Sequence, residues 1–382
     1  MAGEASGDAH AAKLVKALRE SAPNTKFILF GAAGHRLRAA GVEAIVNADE
    51  LAIVGLPEIA KALPRFLKAF HSLSSAAINR RADVVILVDF PDFNLKLAKA
   101  LKKRGFKIIY YVSPQLWAWR KYRIRTIRDY VDLLLTILPF EKDWYAERGV
   151  INIEYVGSPL AREVHADSSR EEFCQRHGLL ADIPIISFLP GSRHKEIVRI
   201  LPVMLEAAAV MAERARNIQF VIAAVSARSQ NHIALAISAA ATTGLRLPET
   251  LITVFDETYD ALNASDGAAV ASGTATLETG IMGTPMAIVY KTSGFNYNLM
   301  RPLISVEHFG LINLIAGERI AKELIQDDFT AKTLSDELFR LLEPVENKRM
   351  RERLKKAADK LGHGGASKRA AEAILKLLNI NP

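Results

Sequence analysis

Residues Val84–Asn94 read VVILVDFPDFN, and their pattern is the strongest indication of the fold class. Five aliphatic residues in succession are typical of a strand buried on both faces, as in a parallel sheet. The run ends at Asp89, and Pro91 cannot continue a strand ladder. Ligands of open α/β sheets bind outside the carboxyl ends of the strands. Asp89 is therefore expected either to be a general base with a raised pKa or to cap the helix that follows.

Outward from this stretch, strand and helix patterns alternate, which predicts an α/β fold with two doubly wound, Rossmann-like domains facing across a cleft. The strands predicted in the first half are Lys26–Gly31, Glu43–Val46, Val84–Asp89, Lys107–Val112, Leu133–Leu138 and Ile153–Val156. A long helix is predicted over Ile59–Asn79 and a basic helix over Trp117–Tyr130. A hinge at Gly157–Leu160 predicts domains over residues 1–160 and 161–364, with a C-terminal helix at 365–382 joining the first domain.

The composition favours a globular protein with anionic partners. Lys and Arg number 50 against 42 Asp and Glu, a net charge of +8, which suits phosphorylated ligands or an acidic membrane surface. The cations are scattered, without the aromatic-studded sheet of an RNA-binding module, so nucleic acid is not expected. The apolar runs are shorter than the ~18 residues of a membrane span. With no signal segment and only one cysteine, Cys174, the sequence indicates a cytoplasmic protein.

Two turns in the second half are typical of phosphate binding at the ends of strands. In Leu189–Arg193 (LPGSR), a glycine, the Ser192 hydroxyl and the Arg193 guanidinium suit a diphosphate. In Ala271–Glu278 (ASGTATLE), a turn opens a helix, and Glu278 can reach two ribose hydroxyls. The groups available to a phosphate there belong to Ser272, Gly273, Thr274, Ala275 and Thr276. We expect a nucleotide-diphosphate site; a plain glycine turn and a helix cap are the alternatives.

The N-terminal stretch Gly3–Asp8 (GEASGD) is a glycine-rich loop that leads into an amphipathic helix. Such a loop normally follows a strand and presents backbone N–H groups to an anion. Only Met1 and Ala2 precede it, so a strand is expected to be missing, as a start assigned at an internal codon would produce. Ser6 or Asp8 can alternatively serve as a plain N-cap.

Two further stretches combine aromatic residues with cations. Ser113–Arg123 (SPQLWAWRKYR) suits a sugar face with a phosphate, or a phospholipid headgroup; alternatively it is a solvated basic face with tryptophans in the core. An apolar stripe with neighbouring cations either faces the core or lies in a membrane interface. The stripe consists of Ile59, Leu63, Phe66, Leu67 and Phe70. The nine histidines show no metal-ligand spacing, and no serine-hydrolase motif is present.

Taken together, these stretches resemble the lipid-A-disaccharide synthase family of inverting GT-B glycosyltransferases, nearly from end to end. The resemblance also rests on Tyr111–Arg120, Leu138–Glu141 and Asn313–Gly317. The sequence departs from the family at two places. The family usually has a strand before the Gly3 loop, and it usually has a histidine where this chain has Ser158.

The resemblance implies transfer of 2,3-diacylglucosamine from its UDP derivative to the 6-hydroxyl of 2,3-diacylglucosamine 1-phosphate (lipid X). The products would be lipid A disaccharide 1-phosphate and UDP, and no cofactor or metal is expected. Asp89 matches the family's proposed base. The implied donor-site residues are Ser192, Arg193, Ser272, Gly273, Thr274, Ala275, Thr276, Glu278 and Asn313. The implied acceptor-site residues are Glu4, Ser6, Gly7, Trp119 and Arg120.

Because both substrates carry acyl chains, the resemblance favours membrane contact for Leu63, Phe66 and Leu67. This contact would lie at the anionic cytoplasmic face of the inner membrane. A homodimer is one of the oligomeric states that the sequence allows. Two other functions stay open as well: a UDP-N-acetylglucosamine 2-epimerase-like enzyme, which needs no acceptor, and a non-catalytic nucleotide-sugar-binding, membrane-associated protein, which would be indifferent to Asp89→Ala.

Overall fold

A computed structural model of the chain describes residues 1–48, 56–215, 217–294, 307–362 and 364–380. The chain divides into two compact units, Met1–Pro159 with His363–Pro382, and Leu160–Gly362. In both units the described strand pairs are parallel, and helices connect them. The predicted α/β fold with two Rossmann-like domains is confirmed.

The first unit contains a parallel pair, β1–β2, and a parallel sheet in the order β3–β4–β5–β6. Its strands are β1 (Phe30–Ala33), β2 (Glu43–Asn47), β3 (Val84–Val88), β4 (Lys107–Tyr111), β5 (Leu133–Thr136) and β6 (Ile153–Tyr155). Its helices are α1 (Ala5–Ser21), α2 (His35–Ala39), α3 (Leu56–Asn79), α4 (Pro91–Lys102), α5 (Ile124–Tyr130), α6 (Glu141–Ala146) and the C-terminal helix (Ala366–Leu378).

Met1 and Ala2 lie between β1 and β3. The carbonyl of Met1 accepts a hydrogen bond from the amide of Val88 (2.9 Å), and the amide of Ala2 donates to the carbonyl of Ala32 (3.4 Å). Ala2 and Val88 also form a parallel bridge. These two residues therefore join β1 to β3, and they deliver the Gly3 loop to the carboxyl end of β3.

Helices cover both faces of the first unit's main sheet. On one face, α1 and the C-terminal helix pack against alternate residues of β4, including Ile109 and Tyr111. On the other face, α3 and α4 pack against Ile108 and Tyr110. This alternation follows the two-residue period of a strand, and it places the Tyr110 side chain on the α4 side.

The second unit has one six-stranded sheet in the order β12–β11–β10–β7–β8–β9. Its strands are β7 (Ile185–Leu189), β8 (Gln219–Ala224), β9 (Leu251–Phe255), β10 (Gly267–Ala271), β11 (Met286–Tyr290) and β12 (Glu323–Ile325). Its helices are α7 (Leu160–Glu163), α8 (Arg170–His177), α9 (His194–Arg214), α10 (Ala227–Thr242), α11 (Thr258–Ala264), α12 (Thr274–Met282), α13 (Leu311–Ala316), α14 (Ala331–Leu342) and α15 (Pro344–Asp359). The strand order reverses between β7 and β10, and such a switch point is where doubly wound sheets bind ligands.

Two predicted elements of the first unit are corrected by the structure. The predicted strand Lys26–Gly31 is displaced to Phe30–Ala33, because the ladder to β2 begins at the pair Phe30 and Glu43. The predicted helix Trp117–Tyr130 is shortened to a 3₁₀ turn followed by α5. Arg120 causes this shortening, since its φ of 55° is left-handed and interrupts a right-handed helix.

None of the helices in the described part of the chain has both the length and the apolar composition needed to cross a membrane.

Candidate active site

Asp89 lies in a strained turn at the carboxyl end of β3. Both Asp89 and Phe90 have positive φ angles, 49° and 53°. Left-handed non-glycine residues cost of order 1–3 kcal/mol each and persist where the surrounding structure enforces them. Helix α4 begins at Pro91, with Phe90 rather than Asp89 at the N-cap position. The carboxylate of Asp89 therefore does not cap α4.

Asn94 and Tyr110 hold the backbone of Asp89. The buried amide of Asn94 donates hydrogen bonds to the carbonyls of Asp89 (2.7 Å) and Val88 (3.3 Å). The hydroxyl of Tyr110 donates to the same Asp89 carbonyl (2.7 Å). The Asp89 amide donates to the carbonyl of Tyr111 (3.1 Å). These contacts enforce the strained conformation and set the direction of the carboxylate.

Replacing Asn94 should loosen this turn. We expect Asn94→Leu to lower the free energy of unfolding by about 1–3 kcal/mol, because the variant loses both hydrogen bonds that the buried Asn94 amide donates to the turn. It should also lower kcat several-fold while the KM for the donor changes little. Urea unfolding and steady-state kinetics measure the two effects. Tyr110→Phe is the matched variant, and it should lose less stability and less kcat because Asn94 still donates to the Asp89 carbonyl. A wild-type kcat for both variants would contradict the positioning role.

The surroundings of Asp89 suit a general base. Burial, reinforced by the negative charge of Glu4, raises the pKa of the Asp89 carboxyl to about 6. A carboxylate with this pKa is ionised at neutral pH and is still a stronger proton acceptor than an ordinary aspartate.

The glycine-rich loop packs directly against the Asp89 turn. A Cβ on Gly3 would lie 2.3 Å from the ring of Phe90, so only glycine fits beneath that ring. A Cβ on Gly7 would lie 3.5 Å from the carbonyl of Val88. Glu4, the N-cap residue of α1, and Ser6, in the first turn of α1, are exposed. The structure therefore brings the predicted acceptor residues Glu4, Ser6 and Gly7 to Asp89.

Asp8 lies in the first turn of α1 and bonds to residues beyond this helix. The N-cap residue of α1 is Glu4, so the alternative of Ser6 or Asp8 as the N-cap is wrong. The buried carboxylate of Asp8 accepts hydrogen bonds from the amides of Gly34 (2.7 Å) and Arg36 (2.8 Å). Asp8 therefore caps α2 from a distance and fixes α1 against it.

Trp119 and Arg120 lie in a loop that is fixed to α6 through Trp117. The buried carboxylate of Glu141 accepts a hydrogen bond from the indole of Trp117 (3.0 Å) and one from the amide of Leu138 (3.1 Å). Burial raises the pKa of Glu141 to about 7, although these hydrogen bonds favour its charged form. The guanidinium of Arg120 lies over the ring of Trp119, 4.1 Å from its centroid.

Asp92 connects this loop to the Asp89 turn. One oxygen of its carboxylate accepts hydrogen bonds from both Arg120 (2.8 Å) and Arg123. The two arginines, 28 and 31 residues after Asp92, are thereby held at the start of α4. Asp92 is an ion-pair partner here, rather than the helix cap that its position before Phe93 suggests.

In the second unit, the turn after β7 is shaped by glycine. Gly191 has a φ of 105°, and a Cβ on it would lie 2.5 Å from the carboxylate of Glu196. Ser192 is exposed, and the side chain of Arg193 is 81% exposed beside Glu196 (3.3 Å). Arg193 can therefore reach a phosphate without breaking interior contacts.

The turn after β10 presents the start of α12. Gly273 has a φ of 149° and open space at its missing Cβ, while Thr274 is exposed. The first N–H groups of a helix have no intrahelical acceptor, so the amides of Thr274 and Ala275 can bind an anion. Because β7 and β10 are adjacent parallel strands, this turn and the Arg193 turn lie at the same edge of the sheet.

Glu278 is half-buried in the next turn of α12. It accepts a hydrogen bond from the hydroxyl of Tyr259 (3.4 Å), and burial raises the pKa of its carboxyl. Tyr259 lies in the first turn of α11, after β9, and the sequence pattern did not single it out.

The side chains of three predicted donor-site residues make hydrogen bonds within the second unit. Ser272 donates its hydroxyl proton to the carbonyl of Phe309 (2.8 Å). Thr276 is fully buried, with its hydroxyl bonded to the Gly273 carbonyl (2.8 Å). Asn313 is fully buried and makes four hydrogen bonds, to Ile320, Ala321 (two) and Glu323. Their side chains can influence a ligand only by shaping the turns.

The apolar stripe on α3 is divided between interior and surface. Phe66 is half-buried, with its ring centroid 6.2 Å from that of Phe90 and 6.1 Å from that of Phe93. Leu63 and Leu67 are 55% and 53% exposed. Phe66 packs on the Asp89 turn, whereas the two leucines are exposed; membrane contact for Leu63, Phe66 and Leu67 stays a prediction. The side chain of Ile59 lies outside the described part of the structure.

A family model described as lipid-A-disaccharide synthetase matches residues 1–377 of the chain. The lipid-A-disaccharide synthase of Syntrophus aciditrophicus is 42% identical over 379 residues, covering 99% of this chain and 97% of the relative. That of Myxococcus xanthus is also 42% identical, covering 99% of this chain and 96% of the relative.

Solved structures share the fold at low identity. A putative UDP-N-acetylglucosamine 2-epimerase from Listeria monocytogenes has a TM-score of 0.65 at 16% identity, covering 99% of this chain and 95% of its own. A glycosyltransferase from Rickettsia africae has a TM-score of 0.61 at 14% identity, covering 100% and 98%. Anabaena HepE in complex with UDP-glucose has a TM-score of 0.57 at 10% identity, covering 99% and 98%.

Proposed function

Because the chain belongs to the lipid-A-disaccharide synthase family and is a glycosyltransferase of lipid A synthesis, we propose that Asp89 is its catalytic base. The acceptor is lipid X and the donor is UDP-2,3-diacylglucosamine. The observation that supports Asp89 most strongly is its strained, buttressed turn at a strand end, with a pKa of about 6.

The reaction is a single displacement with inversion. Asp89 removes the proton from the acceptor's 6-hydroxyl while that oxygen forms a bond to the anomeric carbon of the donor. The bond between this carbon and the β-phosphate oxygen breaks, and its electron pair leaves with UDP. The first unit supplies the base and the acceptor contacts, which we assign to Glu4, Ser6, Gly7, Trp119 and Arg120.

The second unit binds the donor and stabilises the departing UDP. The guanidinium of Arg193 and the amides at the start of α12 neutralise negative charge that grows on the diphosphate. Glu278, oriented by Tyr259, accepts hydrogen bonds from the ribose hydroxyls. Ser192, Gly273, Thr274 and Ala275 line the turns around the phosphates.

The direct test is an assay of the purified chain with UDP-2,3-diacylglucosamine and lipid X. The expected products are the β-1,6-linked disaccharide 1-phosphate and UDP in equal amounts. Incubation with UDP-N-acetylglucosamine alone is the control, because an epimerase needs no acceptor. Epimerised sugar without disaccharide would contradict the proposal.

We also propose that Leu63 and Leu67 insert into the cytoplasmic face of the inner membrane. Arg65 and Lys68 are exposed beside them and suit anionic headgroups. This placement would bring the acylated substrates to the Asp89 turn, since Phe66 on the same helix packs against Phe90.

The double variant Leu63→Ser and Leu67→Ser should bind phosphatidylglycerol vesicles about tenfold or more weakly. The reason is that it lacks the apolar surface that the two leucines would transfer from water into the membrane. Co-sedimentation measures the bound fraction. The matched control replaces Ile28 and Ile151, which are 75% and 87% exposed in the same unit. Equal losses for both pairs, or no loss for the leucines, would contradict the assignment.

A further inference from the structure

Arg120 and Arg123 form a pair of cations organised around one carboxylate. A single oxygen of Asp92 accepts a hydrogen bond from each guanidinium. Each guanidinium carries five N–H donors, so this one oxygen leaves both with capacity for further acceptors. Two positive charges against one negative charge give the cluster a net charge of +1. We call Arg120, Arg123 and Asp92 the arginine clamp.

The two arginines of the clamp are fixed by more than their pairing with Asp92, whose side chain is 65% exposed. The side chain of Arg123 is only 18% exposed and that of Arg120 is 35% exposed. Arg120 has a left-handed φ of 55°, a strained conformation that non-glycine residues keep mainly at functional sites. Its guanidinium is further fixed by stacking on Trp119. Ion pairs between fully exposed side chains lack these constraints and contribute little to stability.

The clamp is also connected to the base. Asp92 is three residues after Asp89, in the first turn of α4. Arg123 lies close enough to the hydroxyl of Tyr110 to oppose, by its positive charge, the rise in pKa that burial gives that hydroxyl. Tyr110 in turn donates to the carbonyl of Asp89 (2.7 Å). An anion bound by the clamp would therefore have a defined position relative to the Asp89 turn.

We infer that the arginine clamp binds the phosphomonoester of the acceptor, an inference that rests on the proposed function. Arginine forks match the oxygens of a phosphate in two-pronged geometry. The acceptor carries its phosphate and its attacking hydroxyl on one sugar ring. Holding the phosphate at the clamp, with the sugar against Trp119, presents the hydroxyl to Asp89. Asp92 keeps both guanidiniums in place before the substrate arrives.

The test compares two acceptors, 2,3-diacylglucosamine 1-phosphate and the same lipid without phosphate. With the wild-type chain, kcat/KM should be about 10- to 100-fold higher for the phosphorylated acceptor, the range expected for charge-assisted hydrogen bonds. In Arg123→Gln this preference should collapse toward unity, mainly through the KM of the phosphorylated acceptor. Turnover of the dephosphorylated acceptor should stay within a few-fold of wild type.

Arg120→Gln is the second variant, because Arg120 is the more exposed member and its loss should disturb the fold less. Arg128→Gln is the control, since Arg128 is an exposed arginine of α5 that pairs with Asp129; it should keep the full preference. Phosphatidylglycerol vesicle binding should be unchanged in both clamp variants. A loss of vesicle binding with an intact acceptor preference would overturn the inference in favour of a membrane headgroup.

The two proposals can fail separately. Disaccharide formation from both acceptors at equal kcat/KM in the wild type would overturn the phosphate site alone. If neither acceptor gives any disaccharide, the proposed function itself is overturned.

Discussion

The Asp89→Asn variant should form disaccharide at least about 10²-fold more slowly than the wild type, because an amide cannot accept the proton of the acceptor hydroxyl. Asparagine tolerates left-handed φ angles better than most residues, so the turn at Asp89 should keep its shape. The measurement is kcat with UDP-2,3-diacylglucosamine and lipid X, together with the affinity for UDP, which should stay close to wild type.

The control is Asp83→Asn, the same chemical change just before the other end of β3, where the side chain is exposed. It should keep wild-type turnover. The pH profile gives an independent readout. Wild-type kcat/KM should fall about tenfold per pH unit below pH 6, where Asp89 becomes protonated, and the residual activity of Asp89→Asn should lack this limb. Turnover of Asp89→Asn at the wild-type rate would eliminate Asp89 as the base.

The same variant should be more stable than the wild type at neutral pH. The pKa of Asp89 is higher in the folded chain, about 6, than its ordinary value of 3.8. The folded state therefore binds more protons than the unfolded state between these values, and stability falls as pH rises through this window. Above pH 6, Asp89→Asn should gain on the order of 1–2 kcal/mol, allowing for solvent screening. Urea unfolding should show the gain at pH 8 and its decline toward pH 4.

Arg193→Gln should lower kcat/KM by about 10²-fold, the second largest loss, because a fixed cation at the leaving group stabilises the transition state. Arg193→Lys should recover part of this loss, since it keeps the charge but not the planar fork. Steady-state kinetics with varied donor measure the effect. Arg199→Gln, in helix α9, which begins just after Arg193, is the control and should behave as wild type. A wild-type kcat/KM for Arg193→Gln would remove this residue from the donor site.

The local sequence was enough to predict the elements that depend on neighbouring residues. Aliphatic runs predicted the buried strands within a few residues, as at Val84–Val88 and Lys107–Tyr111. Glycine-containing turns after β7 and β10 were recognisable because the candidate ligand groups of each turn lie within seven consecutive residues. The predicted helix Trp117–Tyr130 began too early compared with α5, since no local signal marks Arg120 as left-handed.

Contacts between distant residues could not be predicted in the same way. Asn94 and Asn313 are both asparagines near motifs, yet one holds the Asp89 turn and the other holds the loop before β12. Phe66 and Leu67 are adjacent in an apolar stripe, yet only Phe66 reaches Phe90. Sequence spacing does not distinguish such residues, because their partners are set by how α3 and α4 pack on the sheet.

Local patterns were enough to predict that strand and helix alternate and that Asp89 and Arg193 each follow a buried strand. These features follow from the periodicity of apolar residues and the backbone limits of glycine and proline. The strained backbone of Asp89, its hydrogen bonds from Asn94 and Tyr110, and the pairing of Asp92 with two arginines became visible only in the folded chain. Hydrogen bonds and burial depend on which strands become neighbours, and the packing of the whole unit sets those neighbours.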